Sequence, residues 1–313
     1  MRGSGGARGS RGGGRGGSRA PSAPWSSRLR PVELDPLESI GLPSKGDNRL
    51  LDFKTQENYY TKIVDRYMTF CSDAGERDEL LRRFASLNLN PPPYSGINPA
   101  RRPSPNNATS SSPRQDSSKV LSDVLFALRK LREGIVASKR TDDFAVQAYL
   151  FCIRFSILVK HPESYHPAIL HLLRRIQPLH GMTTLELNEV TSYLVLDTAC
   201  RRNDLGEAFA LRHRYRLKDT KVNDVLDALT HDNYVQLKRL KHKVDGYRLR
   251  LLEYADEPVR KHLLKCFSRT YLSVELSFLE TCTDSTWTRL TKEDGVGWEL
   301  DGSKVVIRRV KAR

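Results

Sequence analysis

From Lys119 almost to the end of the chain, apolar residues recur at helical spacing, and only the last thirty residues change period. Val120, Val124, Leu128 and Leu131 mark one helix. Phe144–Val159 marks a second, apolar nearly all round and so expected inside. Pro167–Ile176, Leu185–Cys200 and Leu205–Leu217 follow, with Pro178 and Gly181 as breakers. The pairs 144–176 and 185–217 are offset by about forty residues, which predicts stacked helical hairpins. Over Tyr234–Leu252 the stripe Leu237, Leu240, Val244, Tyr247 and Leu251 steps by 3, 4, 3 and 4. A further helix is expected to start near Asp256–Pro258 and to carry Val259, Leu263, Phe267 and Tyr271.

The period then changes. Trp298–Leu300 and Ser303–Ile307 flank Asp301-Gly302, a dipeptide that supplies the positive φ angles of a tight hairpin turn. Three short helices (257–271, 274–282 and 285–293) followed by such a hairpin predict a winged helix. The fold class is therefore mainly α: stacked helical hairpins ending in a winged-helix module. The arm is expected over 119–252 and the winged helix over 253–313.

The first third of the chain is of another kind. Residues 1–30 hold seven Arg, nine Gly and no acid. Four Arg-Gly steps begin at Arg2, Arg8, Arg11 and Arg15. Residues 31–52 carry Pro31, Pro36 and Pro43, and 1–52 is expected to be a disordered tail and linker. Tyr60, Ile63, Val64, Tyr67 and Met68, then Leu80, Leu81 and Phe84 across Gly75, predict a short helical hairpin over 53–87. It is too small for a core of its own and is expected to dock, on a partner or on the body. In residues 88–118, Pro, Ser and Asn fill 19 of 31 positions, which predicts a linker.

Charge is concentrated at the ends. The net charge is +15, of which residues 1–30 carry +7 and residues 304–313 carry +5, so 15 − 7 − 5 leaves +3 for the rest. A near-neutral body with two basic ends points to ends that meet an anion. No run of eighteen apolar residues is present, so no membrane span or membrane partner is expected. The start lacks a signal peptide's apolar stretch, and its glycines would melt the amphipathic helix of a mitochondrial presequence. Five scattered Cys without a C-x-x-C pair read as reduced thiols, which predicts a cytoplasmic or nuclear location.

Two stretches resemble a known family. Val259–Leu279, with its tyrosine-containing helix, and Gly297–Arg309, with its Gly-Trp wing, are similar to the small PCI-domain proteins. These include subunits of the proteasome lid, the signalosome and eukaryotic initiation factor three (its k subunit). The resemblance covers about 119–313. It implies a non-catalytic scaffold whose winged helix pairs with sister PCI-type subunits and whose arm meets further partners. Residues 1–118 fall outside it, and an Arg-Gly tail is not usual for the degradation-complex members.

Catalytic chemistry finds little footing in the residues. The N-terminal glycines follow no strand and precede no helix, so they are no phosphate loop. His161, His166 and His171 are five apart, about 140° per step on a helix, and do not share a face. No catalytic residue, metal, cofactor or small-molecule substrate is expected. Arg2, Arg8, Arg11 and Arg15 are candidate RNA contacts, since Arg forks phosphate and stacks on bases; a merely solubilising tail is the other reading. Lys304, Arg308, Arg309, Lys311 and Arg313 are candidate contacts of the wing with RNA. Lys238, Arg239, Lys241 and Lys243 form a candidate face for an acidic partner or for RNA, against the reading of a plain solvated face. The expected role is an adaptor in an RNA-linked assembly, in translation initiation or mRNA handling. The alternative is a structural subunit of a lid-like or signalosome-like complex.

Overall fold

A computed structural model describes residues 35–74 and 113–309, and the chain there is mainly helical. Residues 36–52, expected to be irregular linker, are packed as a strap. Leu37, Ile40 and Leu50 enter the main core. The strap's backbone groups are satisfied from several sides. Lys130 Nζ and Tyr59 Oη both donate to the Leu37 carbonyl at 2.9 Å, and Gln56 Nε2 donates to that of Leu50 at 2.8 Å. Asp47 closes a turn by accepting from the Gly41 N–H, and the Arg49 guanidinium beside it holds its carboxyl well below the usual range.

Helix α1 (Phe53–Ala74) is one continuous helix where a hairpin was expected over 53–87; residues 75–87 lie outside the described residues. It docks on the body, not on a separate partner. Tyr59, Ile63 and Phe70 are buried, and Tyr60 and Tyr67 meet Phe144, Phe151 and Phe155 edge-to-face at 5.5–5.7 Å. Rings at such separations add roughly 0.5–1.5 kcal/mol per pair beyond their buried area. Helix α2 (Pro113–Ala137) begins inside the stretch expected as linker, so the last six residues of 88–118 are helical. At its end the buried Arg140 pairs with Glu57 at 2.6 Å and Asp142 at 2.8 Å, between the rings of Phe53 and Phe144.

The strap lies against α2 at Gly134. A Cβ there would stand 2.7 Å from the Leu50 carbonyl oxygen and 2.8 Å from Leu50 Cβ, distances that backbone cannot tolerate. Ala is the better helix former by about 1 kcal/mol, yet overpacking costs about 1–3 kcal/mol. Gly134→Ala is therefore expected to lower stability by about 1 kcal/mol in urea unfolding. An unchanged or raised midpoint would mean that the strap does not press on α2.

The middle of the chain is helical, as expected. Helix α3 (Asp143–Leu158) is capped by Asp142, whose carboxylate accepts from Ala145 N–H, and it is buried along most of its length. Helix α4 (Pro162–His171) starts at a proline, one turn earlier than expected, and runs into a π-turn at Leu172–Ile176. Helix α5 (Thr184–Leu196) has a reciprocal capping box between Thr183 and Glu186 and runs into a second π-turn at Asp197–Arg201. Helices α6 (Leu205–Arg214) and α7 (Thr220–Thr230) complete this part.

The single stripe over 234–252 is divided in two. Helix α8 (Tyr234–Lys241) ends before Lys243, and α9 (Gly246–Leu252) restarts on an Asp245 cap. Leu237, Leu240 and Leu251 are buried, while Val244 and Tyr247 are half-buried. The cap explains the break: Asp245 accepts from the N–H groups of Tyr247 and Arg248, which a continuous helix would direct to carbonyls one turn back.

The terminal part has its own core. Helix α10 (Asp256–Thr270) is followed by β1 (Ser273–Glu275), α11 (Leu276–Thr283), α12 (Trp287–Lys292), β2 (Glu299–Asp301) and β3 (Lys304–Val306). The strands form an antiparallel sheet in the order β1-β3-β2, with Val305 facing both Val274 and Leu300. The turn falls one residue later than expected: Asp301 ends β2 opposite Lys304, and Gly302-Ser303 makes the turn, with Gly302 at φ 60°, since glycine takes the positive φ that the first turn position needs. Strand β1 was not expected; three residues are too few to show a period. Leu263, Leu264, Phe267, Val274, Leu279, Leu290 and Val305 form this core, with Trp298 packed on it. Tyr271, which shares the helical stripe of Phe267, instead caps the helix and stays exposed.

Candidate functional site

The four cations singled out on α8 and its following turn do different things. Lys238 Nζ donates to Asp284 at 2.9 Å and to the Thr281 carbonyl at 3.1 Å. That bond holds the Asp284 carboxyl below its usual range. Lys241 pairs with Asp256. Both lysines therefore staple the arm to the terminal part and are not a free anion face. Arg239 and Lys243 remain exposed.

Between the arm and the terminal part lies a cleft of about 620 Å3, lined by Lys160, Lys238, Lys241, Asp256, Arg260 and Asp294 among others. Each of its cations has a carboxylate partner. Lys160 meets Glu253 at 2.6 Å, Arg260 meets Asp294 at 2.7 Å, and Arg289 meets Glu293 at 2.7 Å. A cleft neutralised in this way holds two cores together through charge and offers no unbalanced field to a ligand.

The wing cations are exposed and lightly tethered. Lys304 lies 3.9 Å from Glu275, Arg309 pairs with Glu299, and Arg308 donates to the Arg269 carbonyl at 2.9 Å. Exposed pairs of this kind are worth about 0–1 kcal/mol, so a phosphate can displace them at little cost. Arg2, Arg8, Arg11, Arg15, Lys311 and Arg313 lie outside the described residues.

Beside the wing is an apolar surface. Tyr271, Leu272, Phe278 and Leu300 are each more than two-fifths exposed. Phe267, buried beneath, touches Tyr271 at 5.3 Å and Phe278 at 6.0 Å between ring centres. In the order β1-β3-β2, both β1 and β2 keep one edge unpaired within the sheet. An unpaired strand edge next to exposed aromatics is a template for another chain.

Of the histidines, His166 contacts Asp197 at 3.2 Å and His171 stacks on Tyr149 at 5.1 Å. Burial, with Arg175 and Arg132 nearby, lowers the His171 pKa. Sequence spacing did not reveal the network around Asp197. Its fully buried carboxylate accepts from Tyr165 Oη at 2.6 Å and from Arg201 at 2.6 and 2.8 Å. The π-turn directs Asp197 inward, a geometry without a linear signature. Among the described residues no helix is long and apolar enough to cross a membrane.

The chain matches no protein-family model and none of the curated proteins with which it was compared.

Proposed function

We propose that the chain is a non-catalytic scaffold subunit of PCI type in an RNA-linked assembly, in translation initiation or mRNA handling. The observation that carries this reading is the order of elements after residue 255: helix, strand, helix, helix, strand, strand, with the sheet ordered β1-β3-β2. That order supports the reading of a winged helix at the end of stacked helical hairpins, as in the PCI plan. The exposed Tyr271, Leu272, Phe278 and Leu300 beside free strand edges support pairing with a sister subunit there. RNA contact is assigned to the basic ends, which carry +12 of the +15 net charge.

A tagged full-length chain, recovered from cells with and without ribonuclease, tests this. The expected outcome is a set of PCI-type subunits that survives the nuclease and a second set of proteins that does not. Recovery of proteasome-lid or signalosome subunits alone, unchanged by nuclease, would replace the RNA-linked reading with the purely structural one.

A further inference from the structure

Several cations of the body are matched by acids: Arg140 by Glu57 and Asp142, Arg154 by Glu189, Arg201 by Asp197, Arg248 by Asp219. The turn after α6 gathers several that are not. Helix α6 ends at Arg214, and the chain reverses through Tyr215, Arg216, Leu217 and Lys218. The reversal is fixed by N–H bonds from Arg216 to the His213 carbonyl at 3.1 Å and from Leu217 to the Arg212 carbonyl at 3.0 Å, with Arg216 at φ 50°. Leu211 and Leu217 are buried beneath it. Arg214, Arg216 and Lys218 are left exposed and Arg212 half-exposed.

Among the described residues, none of these four cations has an ion pair within 4 Å. No acid occurs between Glu207 and Asp219, and Asp219 is itself engaged by Arg248 at 2.6 Å. The negative end of the α6 dipole favours cations, but it offsets only about half a charge against four. Two partly buried rings, both packed on the main core, lie among the charges. The Arg212 guanidinium carbon is 5.8 Å from the Phe209 ring centre, and that of Arg214 is 6.0 Å from Tyr215.

We infer that this turn is a further nucleic-acid contact, on the arm and remote in sequence from the basic ends, and that its ligand is single-stranded RNA. The inference rests on the RNA-linked reading above and adds a site to it. Guanidinium forks suit phosphate oxygens, and ring faces suit unpaired bases, which a duplex does not present. The uncovered edges of Phe209 and Tyr215, which otherwise pack on the core, are what phosphate alone would not engage.

The test uses the full chain and a labelled oligouridine, titrated across a potassium chloride series. Arg212→Gln, Arg214→Gln and Arg216→Gln together should lower the log–log salt slope by about 2, at about 0.7 per single-strand phosphate contact. A matched control removes three other exposed charges, with Lys139→Gln, Arg174→Gln and Arg175→Gln, and should leave the slope nearly unchanged. Tyr215→Ser should weaken binding about tenfold at every salt concentration, because stacking is not screened. Thermal melts establish that each variant is folded, and Arg214→Gln alone, at an exposed side chain, serves if the triple variant is not. An unchanged slope, or an equal drop in the control, would overturn the arm contact. So would full displacement of the RNA by inorganic polyphosphate together with an inert Tyr215→Ser. If the unaltered chain binds no oligouridine at all, the RNA-linked reading itself fails. If it binds and only the variants are inert, the arm contact alone is lost.

Discussion

Replacing Asp294 by Ala is expected to unfold the terminal part while the arm stays folded. Its carboxylate is 2% exposed and grips the Arg260 guanidinium, itself 8% exposed, at 2.7 and 3.2 Å. Removing one partner strands the other charge away from water, which costs about 3–5 kcal/mol. The small core of Leu263, Phe267, Leu279, Leu290 and Val305 has little reserve against such a loss. Hydrogen exchange should report lost protection over residues 256–306 and retained protection over 119–255. Adding Arg260→Met to Asp294→Ala should restore most of the stability, because an apolar replacement of both partners carries no stranded charge. Equal loss of protection in both parts would contradict two cores joined through a charged cleft.

The second large effect is expected at Asp197. Tyr165, Arg201 and His166 converge on a carboxylate with no solvent exposure, where the α5 helix passes into its π-turn. Burial and the adjacent carboxylate push the Tyr165 phenol far above its usual pKa, so it donates at any physiological pH. Asp197→Ala should cost about 3–5 kcal/mol, against about 1 kcal/mol for Tyr165→Phe, which removes a single donor. Urea unfolding of both variants decides this. A loss for Asp197→Ala no larger than that for Tyr165→Phe would mean that the network is replaceable by water.

Much of the arm and the terminal hairpin was legible in the sequence, for definite reasons. Phe144–Val159 reads as interior because it is apolar on every side, and Gly302 marks the hairpin because it takes a positive φ freely, although the turn is Gly302-Ser303 and Asp301 belongs to β2. The strap at 36–52 did not show. Its two prolines and single buried leucines have no period, and its order comes from Lys130, Tyr59 and Gln56, which are remote in sequence or reach back from the next helix. The cation face on α8 was legible as charge but not as function. Lys238 and Lys241 are spent on Asp284 and Asp256, acids supplied by later elements. Periodicity locates a charge on a helix, and only the tertiary fold says whether an acid reaches it. The cluster at Arg212–Lys218 was equally visible in composition, yet cations at a helix end are ordinary. Its distinction is four cations without an ion pair within 4 Å among the described residues, gathered in one turn beside two aromatic rings.

The aromatic ladder between α1 and α3 also sets an order of events during synthesis. Tyr60 and its partner Phe144 are separated by 144 − 60 = 84 residues. At about 5–20 residues per second, a ribosome needs about 4–17 s to make that span. For that interval α1 exists with its inward rings uncovered, and the strap before it has no α2 to lie against. Helix α1 thus waits for its burial, and its apolar face is open to any chaperone at the tunnel exit until Phe155 has emerged.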